Sequence, residues 1–248
     1  MAKTVKKNRR SGKKKQKQTR APWWQRVLFW LRKWLLRGGL GVVVFIATFV
    51  LLFSVVNPPT NHTIWSEGQR LGQVDQQWIP IEEMSPHVAL SAIASEDVNF
   101  CNHWGFDMTA IRAALAEGSR RGASTITQQT VKNVYLWQGR SWVRKALEAV
   151  LTPMVELVWS KQRILEVYLN IAEFDEGVFG IEAASHHYFR ISPSELSARQ
   201  AALLIALLPN PKVRSASSPS SATSSRATSI MDGAATIRRD DRSACFES

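Results

Sequence analysis

The sequence predicts a mainly α-helical domain behind one N-terminal membrane-spanning helix. Three observations predict it. Beyond residue 80 apolar residues recur at helical spacing, not in the alternation of a strand. Helix-capping side chains stand ahead of those runs. An uncharged apolar stretch precedes them all.

The first element is a basic arm, residues 1–37. It holds 14 of the chain's 32 Lys and Arg and no acid, so the remaining 18 basic residues face 20 acidic ones. The formal charge of +12 therefore belongs to the arm and not to the domain. A basic arm alone would suit nucleic acid, but the apolar run behind it points to a membrane. Residues 38–57 read as a transmembrane helix, uncharged from Gly38 to Val56 and stopped at Asn57-Pro58-Pro59. It approaches the ~20 residues that cross ~30 Å of hydrocarbon. A cleaved signal peptide fits less well, because the run is long and no small-x-small cleavage pattern comes after it. Positive flanks stay cytoplasmic, so the arm is expected inside and the domain outside. Trp23, Trp24, Trp30 and Trp34, interleaved with Arg26, Arg32, Lys33 and Arg37, suit the headgroup layer. Residues 1–20 are expected to be disordered.

The domain occupies 60–214. Thr63–Trp65 and Gln77–Pro80 look extended. Ser85-Pro86 opens a helix that ends near Glu96. Asp107 caps the next and Ser124 the third. Ser141 caps a long fourth, through Trp159, with Pro153 as a kink. Ser160 opens a fifth that ends near Asn170, and Gly180 to Phe189 is a sixth. Ser192-Pro193-Ser194-Glu195 has the form of a capping box ahead of a seventh, which stops before Pro209. Beyond it, 215–229 contains eight serines and no sustained period. Residues 215–248 therefore read as a disordered or frame-shifted tail. Cys101 and Cys245 could pair only in an oxidising space; nothing in their spacing supports a pair, and Cys101 reads as a small packing residue.

The chemistry gathers in a few short segments. Glu96 and Asp97 stand where a helix runs out, near His103 and Asp107. Burial and a like-charged neighbour there would suit a general base, while a solvated helix end is the plainer reading. Gln128, Gln129 and Lys132 lie just past the cap at Ser124, with Gln128 and Lys132 on one face. Uncharged donors and a lysine at a helix start suit sugar hydroxyls and phosphate oxygens. Arg140, Arg144 and Glu148 come next. Arg144 and Glu148 are an i, i+4 pair, which on a surface is worth only ~0.3–0.5 kcal/mol, but an arginine fork also suits a diphosphate. Glu166, Tyr168 and Asn170 share a helix whose Ile164, Leu165 and Leu169 form a core face. His186-His187 and the Cys101–His103 spacing are weak metal signals.

Taken together, the segments Glu96-Asp97-x-x-Phe100-x-x-His103-x-Gly105-Phe106-Asp107, Gly122-x-Ser124-Thr125-Ile126-Thr127-Gln128-Gln129-x-x-Lys132-Asn133, Arg144-Lys145-x-x-Glu148 and Ile164-Leu165-Glu166-x-Tyr168-Leu169-Asn170 resemble, in order, the motifs of the family 51 glycosyltransferases, the peptidoglycan polymerases. The resemblance covers about residues 65–211. It implies a lysozyme-like, mainly α catalytic lobe with a small membrane-apposed lobe. It also implies that lipid II is polymerised, with inversion at the anomeric carbon, onto a glycan chain linked to undecaprenyl diphosphate. Carried over by position, Glu96 is the base. Lys132 and Arg140 neutralise the departing diphosphate, and Glu148 is the second carboxylate, with assistance to departure or the holding of a cation left open. Ser124, Gln128, Gln129 and Arg144 line the cleft with Asp97 and His103, and Tyr168 and Glu166 support it. The stretch 116–122 falls at a mobile segment of the family. The resemblance demands no cofactor and leaves room for a divalent cation. It places the chain in a bacterial inner membrane, single-pass, with a cytoplasmic N-terminus and an extracytoplasmic catalytic domain. Other cell-wall synthesis or division proteins are expected partners, and nucleic acid is not. The lack of a Ser-x-x-Lys with a later Lys-Thr-Gly speaks against a transpeptidase. Asp175 stands where the family favours glycine, and the family's further helix with an Arg is expected to be missing after Pro211. A lysozyme-like peptidoglycan-cleaving enzyme and an inactive membrane-tethered scaffold are the alternatives.

Overall fold

The structure, a computed structural model, describes residues 23–118 and 122–246. The expected disorder of 1–20 lies outside the described residues, as does part of the segment 116–122. Internal contacts divide the chain into two units, Met1–Ile46 and Ala47–Ser248.

Helix α1, Trp23–Phe53, is longer than the span expected over 38–57. It takes in the Trp- and Arg-bearing stretch and ends in a turn ahead of Asn57. It is long and apolar enough to cross a membrane, with large side chains such as Trp30, Leu35, Val43 and Phe45 exposed. An apolar surface of this extent fits a hydrocarbon surround better than water.

The second unit is helical, as the periodicity predicts. Helix α2, His62–Leu71, is capped by the Asn61 side chain on Ile64 N and closed by Gly72 in the left-handed region. It covers Thr63–Trp65, for which the sequence predicts extended chain; its apolar positions are too few to display a helical period. Strand β1, Asp75–Gln76, precedes α3, Pro86–Glu96. Helix α4, Met108–Ala116, is capped by Asp107 on Thr109 N and Ala110 N. Helix α5, Ile126–Tyr135, begins one residue later than expected: Thr125, not Ser124, is the cap, and it forms a capping box with Gln128. Helices α6, Trp142–Val158, and α7, Lys161–Ile171, start at the caps Ser141 and Ser160. Strands β2, Glu173–Asp175, and β3, Val178–Phe179, lead into α8, Gly180–Phe189. The three strands order β1-β3-β2, with β1 parallel and β2 antiparallel to β3. The Ser192–Glu195 capping box is real, but it closes a single 3-10 turn; a second box, Ser197 with Gln200, opens α9, Ala198–Leu207.

The largest correction lies at the end of the chain. Residues 221–239 form a nineteen-residue helix, α10, capped by Ser220 and packed on α3 and α9. Thr223, Ala227, Ile230 and Ile237 are its buried positions, and Cys245 is disulfide-bonded to Cys101. The serine-rich stretch is thus ordered. Small side chains are what let α10 approach closely: a Cβ on Gly233 would stand 3.2 Å from that of Ala94. Around α3, α9 and α10 on one side, and α5, α6 and α7 on the other, the core holds Ile93, Ile126, Ile164, Leu165, Phe174 and Leu204.

Candidate active site

Glu96 is the last residue of α3. Its Oε1 accepts from Ser95 Oγ at 2.9 Å and faces Arg226 Nη2 of α10 at 3.4 Å. Its Oε2 accepts from Gln129 Nε2 at 3.1 Å. The next residue, Asp97, is buried and does two other things. It accepts from Ile126 N at 3.0 Å, joining the end of α3 to the start of α5, and it meets His103 Nε2 at 2.7 Å. His103 therefore buttresses Asp97 instead of lining the cleft as expected.

Two cavities flank the Glu96–Gln129 pair, one lined by Glu96 and the other by Gln129. One, of about 290 Å³, is lined by Glu96, Asp97, Asn99, Thr109 and Ser124. The other, of about 430 Å³, is lined by Gln129, Lys132, Asn133, Gln138 and Tyr168, with Glu67, Glu173 and Lys212 also on its wall. The Glu96–Gln129 hydrogen bond lies between them. Tyr168 is buried, and burial pushes its phenol well above the ordinary value, with Glu96 and Asp97 adding to the rise; it stays a hydroxyl.

The cations gather around Glu148, which is 2 % exposed. Arg144 Nη1 donates to its Oε2 at 2.7 Å, and Lys145 Nζ pairs with its Oε1. Lys145 also reaches Ser124 Oγ at 3.3 Å. Arg144 Nε holds the Gly139 carbonyl at 2.8 Å. Lys132 stands within the field of all three groups. Burial lowers its pKa first, Arg144 and Lys145 lower it further, and Glu148 opposes them. Three cations around one carboxylate leave a net positive centre beside the cavities, which suits an anion with more than one charge. Arg140 is exposed, just ahead of the α6 cap.

Of the expected site residues, Glu96, Asp97, Ser124, Gln129, Lys132 and Tyr168 line the two cavities, and Arg144 and Glu148 form the cluster beside them. Gln128 does not join them. Its side chain accepts from Thr125 N at 3.1 Å within the capping box, so the shared face with Lys132 is not used. Glu166 accepts from Ile81 N at 3.2 Å and pairs with Arg163. Asn170 clasps both polar backbone atoms of Ile79 at 2.9 Å.

Sequence reasoning leaves two partners out of the site: Lys145, although it stands inside a quoted motif, and Arg226, hidden in the stretch that reads as disordered. A third group it overlooks is structural. Lys161 Nζ meets Glu156 at 2.8 Å and the His103 carbonyl at 2.7 Å, and Thr127 Oγ1 donates to the same Glu156 oxygen at 2.6 Å. Cys101 is engaged in the disulfide with Cys245, and among the described residues no three His, Cys, Asp or Glu gather as a metal cluster.

The transglycosylase family matches residues 63–235. The match runs past residue 214, so the frame shift expected there is overturned, and the missing helix with an Arg is α10 with Arg226. A biosynthetic peptidoglycan transglycosylase of Jannaschia sp. (strain CCS1) is 55 % identical over 216 residues, 87 % of this chain and 90 % of that protein. Proteins of the same name from Yersinia pestis (strain Pestoides F) and Yersinia pseudotuberculosis serotype IB (strain PB1/+) are 47 % identical over 190 residues, 72 % of this chain and 79 % of theirs. With the family matching most of the chain and relatives aligned along most of their own length, the chain belongs to the transglycosylase family.

Proposed function

We propose that this chain is a peptidoglycan glycosyltransferase that polymerises lipid II. One observation carries the reading. Glu96 is held by Gln129 of α5, Lys132 stands one turn further along that helix, and the Arg144–Lys145–Glu148 cluster lies behind them. In this reading a sugar hydroxyl of the acceptor lies in reach of Glu96 Oε2. Glu96 takes its proton as the oxygen bonds to the anomeric carbon of the donor. The bond from that carbon to the diphosphate oxygen breaks on the opposite face, which inverts the configuration. Negative charge grows on the leaving diphosphate, and preorganised cations stabilise it most where the cleft excludes water. Lys132, Arg144 and Lys145 supply that charge, with Arg140 at the rim. Glu148 holds Arg144 and Lys145 in place. Because it already faces both, the reading gives it no divalent cation to hold; a cation arriving with the diphosphate would be met by the phosphate oxygens.

The membrane part of the reading puts the uncharged stretch that begins at Gly38 across a bacterial inner membrane, with the basic arm of residues 1–37 on the cytoplasmic side. Three features support it. Basic residues crowd the N-terminal side of the apolar run. A disulfide persists in oxidising compartments. The outer face of α6 bears exposed apolar residues, Trp142 at 92 %, Val143, Val150 and Leu157, which suit a lobe resting on lipid. A substrate with a polyprenyl tail would reach the cleft from that lipid, where other cell-wall synthesis proteins also work.

The test is polymerisation of lipid II by the full-length, detergent-extracted protein. Polymer is expected from the wild type and none from Glu96→Gln of unchanged circular dichroism. Full polymer from the variant, or shortening of preformed glycan by the wild type, would overturn the reading.

A further inference from the structure

Helix α10 crosses α3 at the end that carries Glu96. Arg226, Ile230, Gly233 and Ile237 fall at i, i+4, i+7 and i+11, one face of the helix. Ile230 and Ile237 are buried, and Gly233 stands against Ala94. Arg226 heads this face, and its Nη2 donates to Ser95 Oγ at 2.9 Å and meets Glu96 Oε1 at 3.4 Å.

This contact has two physical consequences. A carboxylate at a helix C-terminus meets the negative end of the helix dipole, and a cation there offsets it. A carboxylate also has about four lone-pair sites. Ser95 and Arg226 occupy Oε1 and Gln129 takes one site of Oε2, so the site left for an incoming hydroxyl is on Oε2. Arg226 thus directs the carboxylate as well as compensating it.

The far end of the segment is tied separately. Cys245, six residues beyond the end of α10, is bonded to Cys101 in the loop between Asp97 and His103. Both cysteines are partly exposed, open to a small thiol. We propose that Arg226 is a positioning residue for Glu96, and that the Cys101–Cys245 disulfide holds α10 and the Asp97–His103 loop in the arrangement that delivers it, making turnover responsive to a dithiol. The switching step is thiol–disulfide exchange. The dithiol is oxidised to its own disulfide, and two electrons and two protons pass to the two sulfurs as their bond breaks. The inference rests on Glu96 being the base proposed above.

The experiment measures lipid II polymerisation by the full-length protein, with and without dithiothreitol. Arg226→Ala in the oxidised protein is expected to lose on the order of 10- to 100-fold in kcat, the scale of a misplaced catalytic group, with KM nearly unchanged. Arg226→Lys should recover most of it. Dithiothreitol should lower the wild-type kcat toward the Arg226→Ala level and lower Arg226→Ala no further. Cys245→Ser should behave as the reduced wild type and ignore the reagent. Circular dichroism at the assay temperature accompanies each sample. If reduction unfolds the domain, the Ala and Lys variants of the oxidised protein still decide the role of Arg226. A wild-type kcat in Arg226→Ala, a loss confined to KM, or a folded wild type indifferent to dithiothreitol would overturn the inference. Glu96→Gln separates the two ideas: if it is inactive while Arg226→Ala is normal, only the positioning role fails, and if it is fully active, the base assignment fails first.

Discussion

Replacing Gly105 with alanine tests how the motif beyond Glu96 is built. Gly105 has φ +76°, in the left-handed region, and a Cβ there would lie 2.3 Å from Thr152 Cγ2 and 3.1 Å from Glu156 Cγ, where ordinary contact begins near 3.4 Å. The backbone term for a non-glycine residue is ~1–2 kcal/mol. Forcing a methyl into a packed site adds ~1–3 kcal/mol. Together they predict a loss of about 2–5 kcal/mol, and at ~2–4 °C per kcal/mol for a domain of this size a Tm lower by about 4–20 °C. The steric part is separable. Thr152→Ser deletes the offending methyl and keeps the hydroxyl, which donates to the Glu148 carbonyl at 2.7 Å. Alone it should cost ~1 kcal/mol for the lost methyl. Combined with Gly105→Ala, the new Cβ fills the space vacated, so the double variant should be more stable than Gly105→Ala alone, with a coupling of about 1–3 kcal/mol. Urea unfolding monitored by circular dichroism measures all four proteins. Additivity within ~0.5 kcal/mol would refute the steric account. Because Thr152 is bonded to Glu148, the glycine variant should also polymerise lipid II more slowly than its folded fraction explains, and Thr152→Ser should restore the rate.

Three further outcomes are expected. The folded-state pKa of Lys132 is depressed, mainly by burial, so the unfolded chain binds more protons between that value and the ordinary lysine value; the contribution of Lys132 to stability should rise with pH across this window, read as the difference between wild type and Lys132→Met in urea titrations. If its charge meets the diphosphate, the alkaline limb of the kcat/KM–pH profile, which reports the free enzyme, should lie below the ordinary lysine value and move upward in Lys132→Arg. Glu148→Ala leaves Arg144 and Lys145 without their carboxylate; with Lys145 itself 44 % exposed, the loss should stand at the low end of the buried-pair range, about 3 kcal/mol by urea midpoint, and a wild-type midpoint would contradict the clamp. Arg163 donates to the carbonyl of Phe53, the last residue of α1, at 3.1 and 3.2 Å, and to that of Val56 in the turn after it, at 2.9 Å, so Arg163→Ala should cost ~1–3 kcal/mol and speed amide exchange around residues 53–57, with unchanged exchange counting against the role.

The helix starts are legible in the sequence because a cap is a local device. Asp107, Ser141 and Ser160 each bond a backbone N–H two or three residues on, and that geometry needs nothing from the rest of the chain. Ser192 and Glu195 show its limit: the box forms, yet Leu196 then turns extended and the helix begins at a second box. The site's residue types are legible for a similar reason, since four segments carry them in order. Which side chain faces the cleft is not. Gln128 and Gln129 are neighbours of one type, and only the tertiary position of Glu96 sends one outward while the other closes its own helix.

The end of the chain escapes sequence-based prediction for a physical reason that also explains its role. Disorder is inferred from serine, threonine, alanine and glycine, residues that bury little apolar area and so weakly offset backbone entropy. Small side chains contribute differently when a partner surface already exists. Helix α10 lies on α3 and α9, whose own faces are already apolar, and there Ile230 and Ile237 supply the area while Gly233 lets the backbones close on Ala94. The buried positions 223, 227, 230 and 237 do repeat at helical spacing, but only two of them carry a large apolar side chain, too few to display the period. The pairing of Cys101 with Cys245, 144 residues apart, is hidden for the same reason: it depends on where α10 comes to rest. The part of the chain with the weakest hydrophobic signal is therefore the part that relies most on specific contacts, an arginine at one end and a disulfide beyond the other, and those contacts end on Glu96 and on the loop just beyond it.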